Sequence, residues 1–216
     1  MTFGELRKLV NRGETATTEF KRKVAHPEKI VKEIVAFANS EGGYLLIGVS
    51  DNGDIPGVKY PEDESYILNK AIAELCHPPI DYEVEEVDIT ESHTALVYHI
   101  PVSGARPHKV IHPDYGQHGQ VFVRHEDKSV KASKEMREII RRRRKYKDIS
   151  FHFGDKEKLL MEYLEEHEHI TLSTYRELAQ LSYYQASRKL VLLVLANVLN
   201  ITPTEKGDYY SAKNNS

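Results

Sequence analysis

Residues 30–58 constrain the fold more than any other stretch, because they join a one-sided helix to an almost wholly apolar strand. Apolar side chains recur at three- and four-residue spacing from Ile30 to Ala38, which predicts a helix with one buried face. Gly42 can adopt the left-handed conformation that ends a helix. Residues 44–49 are apolar without alternation, so we expect a central strand that is covered on both faces.

A mixed order of helices and strands surrounds this stretch. Residues 51–54 read Asp-Asn-Gly-Asp, which favours a tight turn, and residues 55–58 are predicted to return as the hairpin partner of the central strand. Further helices are predicted at residues 3–10, 61–75 and 133–146, and further strands at 15–21, 80–87, 94–100 and 120–124. This order predicts an α+β (mixed α/β) N-terminal domain over residues 1–148.

Residues 149–216 differ in composition and are predicted to form a second domain. Capping boxes at Thr174 with Glu177 and at Ser182 with Gln185 predict two successive helices. A helix before them and a two-stranded hairpin after them complete the pattern. This order resembles a winged helix-turn-helix domain.

Three motifs in the N-terminal part occur together in one order: ETATTEFKRK, then FANSEGGYLLIGVSDNGDIPGV, then GQVFVRHEDKSVKAS. They resemble the Schlafen/AlbA-like family of proposed DNA-binding domains, which is also catalogued as a divergent AAA ATPase family. The resemblance covers roughly residues 5–145. It implies a domain type rather than an activity. ATP hydrolysis has no support, since the sequence lacks the G-x-x-x-x-G-K-[ST] phosphate loop.

Charge and composition restrict the partners and the compartment. The net charge of −3 and the pI near 6.4 exclude a surface that is basic all round, so any nucleic-acid contact must come from local basic patches. No apolar run reaches the length of about 18 residues that a spanning helix needs, and the N-terminus lacks an apolar signal segment. The single cysteine, Cys76, fits a reducing compartment. We therefore expect a cytoplasmic protein without a membrane partner.

The start of the last predicted helix is the first candidate site. In a helix-turn-helix the N-terminal residues of the second helix contact bases in the major groove. We expect Gln185 to read adenine and Arg188 to read guanine, with Tyr183, Ser187 and Lys189 holding phosphates. The alternative is the solvated polar end of an amphipathic helix.

The same helix continues as an apolar segment from Leu190 to Leu195, which is wider than one buried face requires. One face should fill the core of its own domain. The other face should bury against the N-terminal domain or a second subunit, or else remain an exposed patch. We predict a homo-oligomer contact at this segment.

Two groups of basic residues form the second candidate site. The run REIIRRRRKYK at residues 137–147 has seven cationic side chains in eleven positions, enough for strong local attraction of phosphates. A second group is predicted to line one groove of the N-terminal domain. For both groups the alternative is an ordinary solvated surface paired with carboxylates. The predicted contacts are Arg141, Arg142, Arg143 and Arg144 in the run, and Lys21, Arg22, Lys23, Arg124 and Lys128 in the groove.

The third candidate site follows from the family resemblance. In some animal Schlafen proteins three carboxylates form a metal-dependent ribonuclease site, and the matching positions here are Glu14, Glu19 and Asp51. Clustered carboxylates can bind Mg²⁺ or Mn²⁺, which stabilise the charge that develops in phosphodiester cleavage. The alternative is that Glu19 pairs with a nearby cation and that Asp51 belongs to the turn.

These observations favour a nucleic-acid-binding protein, with DNA preferred over RNA as the partner, acting as a transcriptional regulator. We expect no cofactor, no metal and no enzymatic activity. One alternative is a divalent-metal endoribonuclease that uses Mg²⁺ or Mn²⁺ at the three carboxylates. The other is a protein-interaction adaptor.

Overall fold

A computed structural model of the chain describes residues 1–143 and 153–213. The chain divides into two compact units, Met1–Val130 and Lys131–Ser216. The sequence-based boundary lies at residue 148, whereas the contacts group the helix after Ser133 with the second unit. Among the described residues, no helix has both the length and the apolar character needed to cross a membrane.

The first unit contains three helices and eight strands among its described residues, and this mixture confirms the α+β class. In chain order the elements are α1 (Phe3–Val10), β1 (Thr18–Lys21), α2 (Pro27–Asn39), β2 (Gly43–Ile47), α3 (Pro61–Leu75), β3 (Cys76–His77), β4 (Glu83–Thr90), β5 (His93–Ile100), β6 (Lys109–Val110), a 3₁₀ turn (Pro113–Tyr115), β7 (Phe122–His125) and β8 (Lys128–Lys131).

The main sheet has the strand order β1-β2-β5-β4, with β1 parallel to β2 and the other pairs antiparallel. The interior position of β2 confirms the central strand expected from its continuous apolar run. Leu45 and Ile47 on one face pack into a core with α2 and α3. Leu46 on the other face packs with Leu6 of α1 and Phe20 of β1. Both faces are covered, so neither face carries the polar positions of a half-solvated strand.

The predicted hairpin after the central strand is wrong. β5 pairs with β2 along its whole length, so the place reserved for residues 55–58 is already taken. Val58 instead forms an isolated bridge with Thr94 at the start of β5. The turn itself forms as expected, because Ser50 N–H donates to Asp54 O at 2.9 Å.

The junction between α2 and β2 depends on two glycines. Gly42 has φ +77°, and its N–H donates to Phe37 O at 3.0 Å, which ends the helix as the sequence predicts. A Cβ on Gly42 would lie 2.7 Å from the carbonyl oxygen of Ile100. A Cβ on Gly43 would lie 2.5 Å from the Phe37 ring. The absence of side chains therefore lets the end of α2 and the start of β2 lie close to Ile100 of β5.

The second unit contains four helices and three strands among its described residues. In chain order they are α4 (Lys134–Arg143), α5 (Asp155–Glu166), β9 (Ile170–Thr171), α6 (Leu172–Leu178), α7 (Tyr183–Leu195), β10 (Leu199–Thr202) and β11 (Tyr209–Ala212). The strands form one antiparallel sheet in the order β10-β11-β9.

Local capping chemistry sets where two of these helices begin. Ser182 and Gln185 form the predicted reciprocal capping box at the start of α7. The predicted box at Thr174 and Glu177 is wrong, because α6 begins earlier. Thr171 is its N-cap and accepts from Thr174 N–H at 3.1 Å.

The core of the second unit contains the apolar residues of α7. Leu190, Val191, Leu193 and Val194 are each at most 3% exposed, and Ile139 of α4 belongs to the same cluster. α4 thus covers the face of α7 that the sequence left without a partner. Leu192 and Leu195 of the same segment are only partly buried, and the homo-oligomer contact through Leu190–Leu195 stays a prediction.

Candidate nucleic-acid interface

The first turn of α7 uses its own polar side chains to cap the helix. Gln185 N–H donates to Ser182 Oγ at 3.3 Å, and Gln185 Oε1 accepts from Ser182 N–H and Ser182 Oγ, each at 3.0 Å. Bidentate reading of adenine needs both the oxygen and the nitrogen of a Gln amide. In the structure the Gln185 oxygen accepts the capping hydrogen bonds, and contact of Gln185 with adenine stays a prediction.

Glu135 of α4 holds two of the predicted phosphate contacts. Its side chain is buried, with the residue only 4% exposed. Its Oε1 accepts from Ser187 Oγ at 2.5 Å and from Tyr183 Oη at 3.3 Å. Burial, together with the negative charge of Glu135, raises the pKa of Tyr183, so the phenol remains a proton donor. Both hydroxyls join α7 to α4 in the structure, and their contact with phosphates stays a prediction.

Lys189 has a structural partner as well. Its ammonium pairs with Glu157, the buried carboxylate in the first turn of α5. Burial alone would raise the pKa of Glu157, but the hydrogen bond from Lys189 and backbone N–H groups lower it below its ordinary value. Lys189 therefore joins α7 to α5 and is not a free phosphate ligand.

A groove of about 450 Å³ runs between α4 and α7, and its lining contains three cations together with the carboxylates of Glu135 and Glu138. Lys134 and Arg142 approach it from α4, and Arg188 approaches it from α7. Arg188 is exposed and makes no ion pair within the described chain. Tyr184, 65% exposed, supplies an aromatic ring at the same groove. We name this feature the α4–α7 groove.

The groove joins two regions that the sequence treated separately, the basic run and the start of α7. Sequence reasoning missed Lys134 and Tyr184. The signals available were a lysine at the start of the basic helix and a second tyrosine next to Tyr183. What no sequence pattern shows is that the two helices pack side by side.

Glu138 lies close to two of the arginines at the end of α4. Glu138 pairs with Arg141, three residues later, and its other oxygen lies 4.0 Å from Arg142 Nε. One carboxylate thus serves two guanidinium groups, and Arg143 next to them is exposed. Cations in the last turn also suit the negative end of a helix dipole. Arg144 lies outside the described residues.

Four of the five cations predicted to line a groove of the first unit lie at its surface. Lys21 pairs with Glu19 and donates to Phe20 O at 2.8 Å. Arg22 donates to Ser50 Oγ at 3.1 Å. Lys23 and Lys128 are exposed.

Arg124, the fifth of these cations, is buried, which removes it from the predicted interface. Its side chain is 1% exposed, and Nη1 lies 3.0 Å from Glu19 and 2.7 Å from Glu33. Nη2 donates to Thr15 O at 2.7 Å, and the guanidinium lies 4.7 Å from the centre of the Phe37 ring. Both terminal nitrogens of the guanidinium are occupied inside the unit, whereas the buried Nε has no hydrogen-bond partner, so Arg124 is a structural ion-pair residue.

Sequence reasoning missed Glu33 in this cluster. One signal was present, since Glu33 lies three residues after Ile30 and four before Phe37, at the spacing of the apolar face of α2. A charged residue on a buried face needs a partner of opposite charge. The identity of that partner, 91 residues away along the chain, is visible only in the fold.

The structure does not bring the three candidate nuclease carboxylates together as a metal site. Glu14 accepts from Phe20 N–H at 2.8 Å, Glu19 pairs with Arg124, and Asp51 lies exposed in the turn after β2. Within residues 1–143 and 153–213, no group of three or more His, Cys, Asp or Glu side chains could hold a metal ion. The carboxylate of Glu19 is committed to cations of the protein itself.

A family model described as Schlafen, AlbA_2 matches residues 14–133, more than half of the chain. The chain belongs to the Schlafen/AlbA_2 family. The matched Schlafen/AlbA_2 region includes β2 and the Glu19–Arg124 pair, and it ends just before α4 begins. The α4–α7 groove therefore lies outside the part that defines the family.

Two solved structures are similar to parts of the chain. One is the solution NMR structure of the N-terminal domain of a Nitrosomonas europaea protein described as related to the ATP-dependent DNA helicase RecG. It has 21% identity and a TM-score of 0.35 over 46% of this chain and 72% of that one. The other is the crystal structure of the DIP2311 protein from Corynebacterium diphtheriae, with 16% identity and a TM-score of 0.39 over 55% of this chain and 26% of that one. No curated protein matches the sequence.

Proposed function

We propose that this protein binds DNA through the α4–α7 groove and acts as a transcriptional regulator. The observation that carries the proposal is the convergence of Lys134, Arg142 and Arg188 on one groove of a molecule with a net charge of −3. Clustered cations on an otherwise acidic protein attract a polyanion locally and release its counterions on binding. Membership in the Schlafen/AlbA_2 family supports a nucleic-acid-related role.

The order of elements in the second unit supports DNA as the partner. Helix, short strand, short helix, longer helix and a two-stranded hairpin follow one another from α5 to β11. This is the order of a winged helix-turn-helix, in which the helix corresponding to α7 contacts the major groove. Arg188 is on the exposed side of α7, where an arginine can bind the edge of guanine. We therefore assign base contact to Arg188 and phosphate contact to the cations of α4.

Tyr184 adds an aromatic surface next to these charges. A tyrosine ring can pack against a sugar or an unpaired base while its hydroxyl remains solvated. Tyr183 and Ser187 have no such role here, because Glu135 holds their hydroxyl groups. Homo-oligomerisation through α7 is not part of the proposal, because most apolar residues of that helix are buried in the core of the second unit.

The proposal predicts steep salt dependence. Each phosphate contact contributes about −0.9 to the slope of log Kobs against log salt concentration on duplex DNA, so Lys134 and Arg142 together predict a slope of about −1.8. Fluorescence anisotropy with a labelled duplex across a salt series measures this slope. Each of Lys134→Ala and Arg142→Ala should reduce its magnitude by about 0.9.

A matched control distinguishes the effect of the groove cations from the effect of losing any surface cation. Lys158→Ala removes one exposed cation from α5, away from the groove lining, and should leave the slope unchanged. Equal loss of affinity in the control and groove variants would refute the groove assignment. Absence of salt-dependent binding in the unmodified protein would refute nucleic-acid binding altogether and favour an adaptor.

The regulatory role has its own test. Selection of duplexes from a random-sequence pool should enrich a defined motif for the unmodified protein, and Arg188→Ala should relax one position of that motif. Competition with RNA of the enriched sequence tests the choice of DNA. A pool that shows no enrichment would exclude a sequence-specific regulator.

A further inference from the structure

A second pocket of about 400 Å³ lies beside the start of α7, away from Arg188. Glu135 of α4, Tyr183 of α7, and Asp208, Tyr209 and Tyr210 at the β10–β11 hairpin contribute to its walls. We name it the Asp208 pocket. Its volume lies within the range of roughly 300–1,000 Å³ that is typical of small-molecule sites.

Two carboxylates of this pocket make no ion pair with any cation in residues 1–143 and 153–213. Asp208 accepts from Ser133 Oγ at 2.5 Å, and Glu135 accepts from Ser187 and Tyr183 hydroxyls. Neither makes an ion pair within the described chain. Burial, followed by the negative charge of Glu135, raises the pKa of Asp208. Two partly desolvated carboxylates near one another favour the uptake of positive charge.

The hydroxyl of Tyr210 is a second, independent feature of the pocket. Tyr210 is 1% exposed and lines the pocket, yet its hydroxyl has no hydrogen-bond partner among the described residues. Burial and then the charges of Asp208 and Glu135 raise the pKa of Tyr210, which agrees with a position near both carboxylates. The hydroxyl is not among the fully buried unpartnered side-chain atoms of the described residues, so it keeps some solvent contact, and a ligand polar group could replace water at this point.

We propose that the Asp208 pocket binds a small molecule that carries a protonated primary amine. An ammonium group has three N–H donors and no acceptor, which suits two carboxylate acceptors and a phenol oxygen. The rings of Tyr183, Tyr209 and Tyr210 line the same pocket and can attract a cation through their faces. Neutral or anionic ligands would leave the carboxylates uncompensated.

Lys206 also lines the pocket, from the hairpin turn. Its side chain is exposed, and its ammonium makes no ion pair with Asp208 or Glu135 in the described parts of the chain. The two carboxylates therefore remain available to a cationic ligand although a lysine lies in the same wall.

Isothermal titration of the full-length protein with putrescine at low ionic strength and neutral pH tests the assignment without nucleic acid. Putrescine should bind, whereas 1,4-butanediol, its neutral counterpart, should not. Asp208→Asn should weaken binding about tenfold or more, because it removes a charge-assisted hydrogen bond. Tyr210→Phe, which keeps the buried ring, should weaken it about fivefold.

The control is Glu165→Gln, which removes one exposed carboxylate from α5 and should leave the affinity for putrescine unchanged. Equal affinity of the unmodified protein and Asp208→Asn would overturn the assignment, as would the absence of putrescine binding. Nα-acetyl-lysine methyl ester keeps a free side-chain ammonium. If it binds more tightly than putrescine, the assigned ligand becomes a lysine side chain of a partner protein and not a small molecule. Because no nucleic acid is present, the outcome is independent of the DNA-binding proposal.

Discussion

Replacement of Arg124 is expected to lower the stability of the first unit. It is not expected to weaken nucleic-acid binding. Its guanidinium neutralises Glu19 and Glu33 at 3.0 and 2.7 Å inside the unit. It also satisfies the carbonyl oxygen of Thr15. Arg124→Ala leaves two buried carboxylates without their common cation and empties the space above the Phe37 ring.

The magnitude follows from the burial of the pair. Removing one partner of a buried ion pair costs about 3–5 kcal/mol, since the remaining charge has lost both water and its partner. A unit the size of Met1–Val130 loses about 3 °C in melting temperature per kcal/mol, so the expected decrease is about 9–15 °C. Arg124→Lys keeps the charge but not the planar fork that contacts both carboxylates, so an intermediate loss is expected.

Hydrogen-exchange mass spectrometry measures the effect for the first unit separately from the second. Peptides that contain β1 and β7 should lose protection in Arg124→Ala, whereas peptides of α5 to α7 should not. Arg22→Ala is the matched control, because this exposed arginine makes one hydrogen bond with Ser50 and should change stability by less than about 0.5 kcal/mol. A loss below about 1 kcal/mol in Arg124→Ala would refute the structural role assigned to the cluster.

Three further outcomes follow from the contacts. Ser187→Ala should destabilise the second unit by about 1–2 kcal/mol in urea unfolding, because buried Glu135 loses a donor; an unchanged midpoint would contradict this. The raised pKa of Asp208 means that the folded state binds its proton more tightly than the unfolded state. Stability should therefore fall as pH rises from about 3.8 through the folded pKa of Asp208. Asp208→Asn should remove this pH-dependent decrease from melting temperatures measured across the same pH range. Gly42→Ala should cost more than about 1 kcal/mol by thermal melting, since φ is +77° and the added Cβ meets Ile100 O; a smaller loss would show that the junction relaxes.

Short-range patterns were sufficient for much of the fold. The continuous apolar run predicted β2 as a central strand, and the Ser182–Gln185 spacing predicted how α7 begins. Both depend on interactions among residues that are near in sequence or on the polarity of a single element. The hairpin at residues 55–58 was wrong because a distant strand, β5, competes for the same edge of β2.

The candidate sites depended on longer-range contacts and were predicted less well. Arg188 is exposed as expected. Lys189 forms an ion pair with Glu157, and Ser187 donates a hydrogen bond to Glu135, each on another helix. A sequence shows that a side chain is cationic or carries a hydroxyl. It does not show whether a carboxylate from another helix or strand binds that group within the folded chain.

The sequence by itself determined the family, the α+β class and the concentration of positive charge at residues 137–147, because each is recorded in the order and type of neighbouring residues. Tertiary structure alone decided which charges remain available. It buried Arg124 between Glu19 and Glu33 and placed α4 against α7, so that Arg142 and Arg188 line one groove. The physical reason is that Coulomb and hydrogen-bond energies depend on distance in space, whereas sequence spacing fixes that distance only within one helix or strand.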